Sequence, residues 1–174
     1  MYVKTERLEL KPICQAGLEN LTELVMDEVV KQTYMLPDFA SREEALQLAK
    51  RIQTLSQDPG RYVVGIYRDG VLLGMMNDVE VTPDAIEMGY ALLPRYFNQG
   101  YCTEALRGMI DYWLSHGFAK VVTGAFSGNG ASLRVMEKSG MTRLEHTDEI
   151  AYRGKTHRCI YYMATKKCNP QQAG

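Results

Sequence analysis

The chain has only four cysteines and no CxxC pair, so neither a disulfide framework nor a paired-thiol motif organises it. His146 and His157, with Cys159 two residues beyond the second, do not have a zinc spacing, and no metal site is expected. No apolar run approaches the roughly 20 residues that span a bilayer. The first residues, Met1-Tyr-Val-Lys-Thr-Glu-Arg, lack the apolar centre of a signal peptide. A cytoplasmic protein without a membrane partner is expected. Charge of one sign is also missing: 20 basic against 21 acidic residues leave a net charge of -1, with no basic field to attract nucleic acid. No repeat, low-complexity stretch or linker divides the 174 residues. The expectation is one domain over residues 1–167 and a tail over 168–174. G-x-G-x-x-G after the first strand is absent, which removes a dinucleotide-binding enzyme from consideration.

The hydrophobic pattern that is present alternates between two periods. Leu8, Leu10 and Pro12 suggest a strand over about 7–13. Leu18, Leu21, Leu24, Val25, Val29 and Val30 recur at helical spacing. Ser41, with Glu44 three residues on, opens a second helix that Asp58-Pro59-Gly60 stops. Strands follow over 62–67, 71–81 and 85–93, separated by Arg68-Asp69-Gly70 and Thr82-Pro83-Asp84, which predicts an antiparallel meander. A helix over 103–116, a strand over 120–126, a helix over 131–139 and a last pair of strands over 141–149 and 156–165 complete the order. The helix between the 85–93 and 120–126 strands makes a crossover, so those two should run parallel. The class is α/β in the mixed α+β sense: a mostly antiparallel sheet of six to seven strands flanked by about four helices.

The most informative stretch is Pro94-Arg-Tyr-Phe-Asn-Gln-Gly-Tyr-Cys-Thr-Glu104. It is a polar turn between an apolar strand and an amphipathic helix. The first amides of a helix have no partner within it, and its dipole favours negative charge there. Thr103 is expected as the N-cap, with Glu104 in the first turn. The ligand this points to bears phosphate.

Four segments in order then resemble the GNAT-type N-acetyltransferases, in particular the branch related to the Rim ribosomal-protein N-terminal acetyltransferases. They are Thr5-Glu-Arg-Leu-Glu-Leu10, Glu87-Met-Gly-Tyr-Ala-Leu92, Asn98-Gln-Gly-Tyr-Cys-Thr-Glu-Ala-Leu106 and Asn129-Gly-Ala-Ser-Leu-Arg-Val-Met-Glu-Lys-Ser-Gly-Met141. The resemblance implies a GNAT-like fold and acetyl-CoA as co-substrate, with a primary amine, either a protein N-terminus or a small amine, as acceptor. It leaves room for a homodimer. It implies that backbone amides of Asn98, Gln99, Gly100, Tyr101, Cys102 and Thr103 hold the diphosphate. Ala91, Leu92 and Leu93 would give backbone contacts to the pantetheine arm, and Asn129 and Ser132 would meet it near the thioester.

Glu87 is the expected general base, with Asp78 and Glu80, read as sharing a face of the preceding strand, as alternatives. The chain departs from the family where Phe97 and Asn98 open the turn, although Asn tolerates left-handed angles. Cys102 is a candidate thiol at a helix N-terminus. Met136 stands where many relatives carry the Tyr that protonates the departing thiolate, which leaves Tyr90, Tyr101, Ser132 or no acid at all. Tyr34, Met35, Leu36, Asp38 and Phe39 suggest a partly apolar acceptor wall with one carboxylate for an ammonium group. The missing helix Tyr also keeps open a non-catalytic acyl-CoA-binding sensor or partner-binding module on the same fold.

Overall fold

The computed structural model describes residues 1–166, so the expected tail and domain end lie outside the described residues. The strands are β1 (Val3–Lys4), β2 (Glu9–Lys11), β3 (Val64–Arg68), β4 (Val71–Val81), β5 (Ala85–Leu92), β6 (Lys120–Phe126), β7 (Thr142–Tyr152) and β8 (Lys155–Thr165). They form one sheet in the order β1-β2-β3-β4-β5-β6-β8-β7. The helices are α1 (Leu18–Met26), α2 (Glu28–Lys31), α3 (Arg42–Gln57), α4 (Tyr101–Ser115) and α5 (Gly130–Lys138). Every neighbouring pair of strands is antiparallel except β5 and β6, which the α4 crossover makes parallel.

Each departure from the expected elements has a local cause. The strand expected over 7–13 is only β2, because Pro12 cannot donate to the ladder. The chain before it folds back, so that Val3 lies opposite Leu10. The helical period running to Val30 is broken at Asp27, which takes an extended conformation and accepts hydrogen bonds from the amides of Val29 and Val30. An Asp in that role starts a new helix. At α3, Ser41 accepts from the Glu44 amide as expected, but the Glu44 carboxylate reaches the amide of Ala40.

The sheet buries both faces. Ile86, Met88 and Leu92 of β5 pack with Leu106, Met109 and Trp113 of α4 and with Met136 of α5. On the other face Met75, Ala91 and Leu93 pack with Leu21, Leu24, Ala45 and Ala49 of α1 and α3. The two-residue alternation of β5 therefore turns Glu87, Gly89 and Ala91 away from α4 and α5.

One irregularity positions the site. β5 and β6 pair only at Ala85–Lys120, Ile86–Val121 and Glu87–Val122. Beyond that level β5 stays on β4, through to Leu92 opposite Gly74. The fit is close enough that a Cβ on Gly74 would stand 2.1 Å from the Ala91 carbonyl oxygen and 2.8 Å from Leu92 Cα. Gly74→Ala should therefore force β5 off β4 and lower stability by about 1–3 kcal/mol, the usual cost of overpacking. The change would be read as a lower urea midpoint; an unchanged midpoint would mean that this approach is not tight.

Candidate functional site

The anion turn runs from Asn98 to the first turn of α4. Asn98 and Gly100 both take left-handed angles, with φ of 59° and 80°. Gly100, not Thr103, is the N-cap, because the helix already begins at Tyr101. Its carbonyl accepts the first helical bond from Glu104 at 3.0 Å. An N-cap without a side chain leaves the first-turn amides open, and among the described residues the amides of Asn98 to Thr103 find no acceptor in the chain. A capping Thr would have taken one of them. This is the donor arrangement that a diphosphate requires.

A groove of about 650 Å³ leads from this turn into the gap between β5 and β6. Of the residues expected from sequence, Glu87, Ala91, Leu92, Asn98, Gly100, Tyr101, Cys102, Thr103, Asn129 and Ser132 line it. Leu93 and Gln99 do not. Leu93 is buried, donates its amide to the Leu73 carbonyl and accepts from the Tyr96 amide, so its backbone is committed. That same bond sets the parity of the ladder. Odd-numbered β5 residues face β4, and the backbone groups of Tyr90 and Leu92 face the gap. The Ala91 backbone, expected as a contact, therefore faces β4 like that of Leu93, and the backbone groups left facing the gap are those of Tyr90 and Leu92, a parity that spacing alone does not give.

Asn129 N-caps α5: its side-chain oxygen accepts from the Ser132 amide at 3.2 Å, and its side-chain nitrogen donates to the Ser132 hydroxyl at 3.0 Å. Burial pushes the Cys102 thiol up to about 12, so it stays protonated at neutral pH and is no nucleophile. Tyr101 points behind the turn, with its hydroxyl on Arg68. Tyr90 donates its hydroxyl to the Ser132 carbonyl at 3.3 Å, and burial holds its pKa above the ordinary range. Met136 lies wholly in the core.

At the far end, Glu87 is half-buried. Burial first, then the nearby carboxylates of Glu80 and Asp148, hold its carboxyl above the ordinary carboxylate range. Asp78 and Glu80 do not share a face, because Val79 is an extra residue in the ladder. Asp78 stands opposite Met88 and Glu80 opposite Glu87. Asp78 turns inward, paired with Arg61 at 2.8 Å and accepting from the Tyr62 amide at 3.1 Å. Tyr161 of β8, which sequence reasoning missed, has its ring across Gly124 and lines the same end. Its partners are set by strand pairing, so no local signal marks it.

The segment after α2 closes one side. The Tyr34 ring packs over Gly89 and its hydroxyl donates to Asn77. The turn between β7 and β8 grips this segment. The Tyr152 hydroxyl donates to the Lys31 carbonyl at 2.8 Å and accepts from the Leu36 amide at 3.3 Å. Arg153 binds Glu28 and Asp38 at 3.0 Å each. Lys31 is within 3.5 Å of the same Asp38, so the carboxylate expected for an ammonium group is already matched by two cations.

A model of the family described as acetyltransferase (GNAT) domain matches residues 7–142. The FsC-acetyl coenzyme A-N(2)-transacetylase of Aspergillus fumigatus is 29% identical over 153 residues, which are 81% of this chain and 65% of that protein. Protein YkkB of Bacillus subtilis is 40% identical over 146 residues, 79% of this chain and 83% of that one. Two solved structures share the fold. A GNAT-family acetyltransferase from Bacillus anthracis has a TM-score of 0.81 at 23% identity, covering 95% of this chain and 98% of its own. RimL, a ribosomal L7/L12 alpha-N-protein acetyltransferase in complex with coenzyme A, has a TM-score of 0.82 at 20% identity with the same coverage. The matched span takes in the uncapped turn, the parting of β5 from β6 and the α5 cap, and the chain belongs to the acetyltransferase (GNAT) domain family.

Proposed function

We propose that the protein transfers the acetyl group of acetyl-CoA to a primary amine by direct attack of the amine on the thioester. The observation that carries this is the continuity of one groove: unpartnered amides at one end, an unpaired β5 edge along it and a half-buried carboxylate at the other end. The diphosphate takes the amides of Asn98 and of residues 100–103, and the amide-bearing arm pairs with the Tyr90 and Leu92 backbone. Residues 87 and 90 point to opposite faces of β5. Glu87 therefore serves the acceptor side of the gap and Tyr90 the side of α5.

An alkyl ammonium must lose a proton before its nitrogen can attack. Glu87, through a water, accepts that proton. The C–N bond forms, the C–S bond breaks, and the second proton that the nitrogen sheds as the amide forms restores the Tyr90 hydroxyl after it has protonated the thiolate. The departing thiolate takes a proton from the Tyr90 hydroxyl, which burial keeps protonated. A buried carboxylate among other carboxylates also attracts a cationic acceptor. Met136 in the core favours one second reading, a module that binds acyl-CoA without turnover. Thiol release from acetyl-CoA with a panel of primary amines, with mass detection of the acetylated product, tests the proposal; coenzyme A binding without thiol release for any amine would favour the second reading.

Glu87→Gln is expected to lower kcat by about 10²-fold or more, the scale of general-base catalysis, with little change in KM for acetyl-CoA. The wild-type rate should fall with decreasing pH through a value above the ordinary carboxylate range, and a flat profile would remove Glu87 as the base. Stability supplies a second check. A carboxyl whose folded pKa is raised gives its full stability below the unfolded pKa and loses it as pH rises through the folded value. Glu87→Gln should therefore melt higher than wild type at pH 8, with the difference vanishing below about pH 4. Tyr90→Phe is expected to slow turnover by at least about 10-fold while leaving coenzyme A affinity in place; an unchanged kcat would show that the thiolate leaves without this acid.

A further inference from the structure

We propose that Arg7 is a positioning residue for the diphosphate site, acting through Glu104 and Gln99 without touching the ligand; this rests on the coenzyme A reading above. Arg7 lies in the fold-back between β1 and β2, more than ninety residues before the turn in sequence. Its main-chain amide donates to Glu104 Oε1 at 2.7 Å, and its Nε donates to Glu104 Oε2 at 2.6 Å. The Thr5 hydroxyl adds a third bond to Glu104 Oε1 at 2.6 Å. The guanidinium also donates to the Gln99 carbonyl at 3.1 Å and stands 4.7 Å from the centre of the Tyr101 ring. One side chain thus holds the turn, the first residue of α4 and the carboxylate of its first turn.

Two consequences follow for an anion. The peptide joining Gln99 and Gly100 is planar and trans, so its carbonyl and amide point in opposite directions. With the carbonyl held by Arg7, the Gly100 amide is turned away from Arg7, and Gly100 is one of the residues that border the groove. The second consequence is electrostatic. Glu104 suits the helix dipole, but it lies outside the groove, in the same first turn of α4 that would receive a diphosphate, and is a like charge to it. Burial opposes its ionisation, yet the bonds from Thr5 and Arg7 outweigh this and keep the carboxyl below its ordinary range. The ionised Glu104 is therefore matched by the Arg7 cation. Without Arg7 an uncompensated carboxylate would stand in the first turn of the helix whose N-terminus receives the phosphates, and the Gln99 peptide would lose its anchor. The matching Thr5-Glu6-Arg7 segment gains a physical role in this way.

The test compares ligands with and without the diphosphate. By calorimetry, Arg7→Ala is expected to bind coenzyme A at least about 10-fold more weakly than wild type. With acetyl-pantetheine, which has the thioester but no diphosphate, kcat/KM should stay within about two-fold of wild type. Adding Glu104→Gln to Arg7→Ala should recover coenzyme A affinity by about three-fold or more, since it removes the unmatched charge. If Arg7→Ala does not fold, Arg7→Lys replaces it: it keeps charge but loses the fork, and a smaller loss confined to coenzyme A is expected. Equal losses with both thioesters would mean a merely structural role and overturn the proposal, as would an unchanged affinity or a double variant no better than Arg7→Ala. Failure of the wild-type chain to bind coenzyme A would instead remove the acetyl-CoA reading, and this proposal with it.

Discussion

The parting of β5 from β6 after three residue pairs is the constraint on which the site depends. A parallel pair of strands normally spends every backbone group on its ladder. Here β5 is drawn onto β4 by the close contact at Gly74, and the edge that faced β6 is left with donors and acceptors that no other strand takes. Buried polar groups of this kind demand partners. An amide-bearing chain can supply them. The opening also admits side chains from both layers, which is why Glu87 from one face and Tyr90 from the other border a single groove.

Charge is distributed around this opening with matching contacts at its margins and an excess of carboxylate at one end. The turn between β7 and β8 carries Arg153 to Glu28 and Asp38, and Lys31 completes the set. These contacts settle the segment before α3 against the groove. At the opposite end Arg7 matches Glu104 behind the anion turn. Among the described residues Glu87 has no such partner, and burial with Glu80 and Asp148 nearby raises its pKa. An unmatched carboxylate costs stability, and costs of this kind are commonly found where chemistry is done.

Much of the framework was legible because its signals are local. Ser41 caps α3 as its type and position suggest, Asp69 and Gly70 make the hairpin turn with positive φ, and Asn98 takes the left-handed angle that Asn tolerates. The location of the turn before α4 was legible for the same reason. What failed also failed locally. The residue types favour Thr103 as a cap, but a left-handed Gly100 caps the helix three residues earlier and leaves the amides open. Asp27 interrupts a hydrophobic period that continues past it, since capping two amides outweighs periodicity.

By itself the sequence determined the order of elements, the turn that presents unpaired amides, and the carboxylate, hydroxyl and amide side chains available to a groove. These follow from residue type and spacing of a few positions. Tertiary structure alone decided which of them face one another. The extra residue at Val79 separates Asp78 from Glu80, the Leu73–Leu93 bond gives the gap to Tyr90 and Leu92, and β6–β8 pairing lays Tyr161 across Gly124. A shift of one position in a strand reverses the face of every side chain beyond it. Register arises from pairing between distant segments, so no short stretch of the chain contains it.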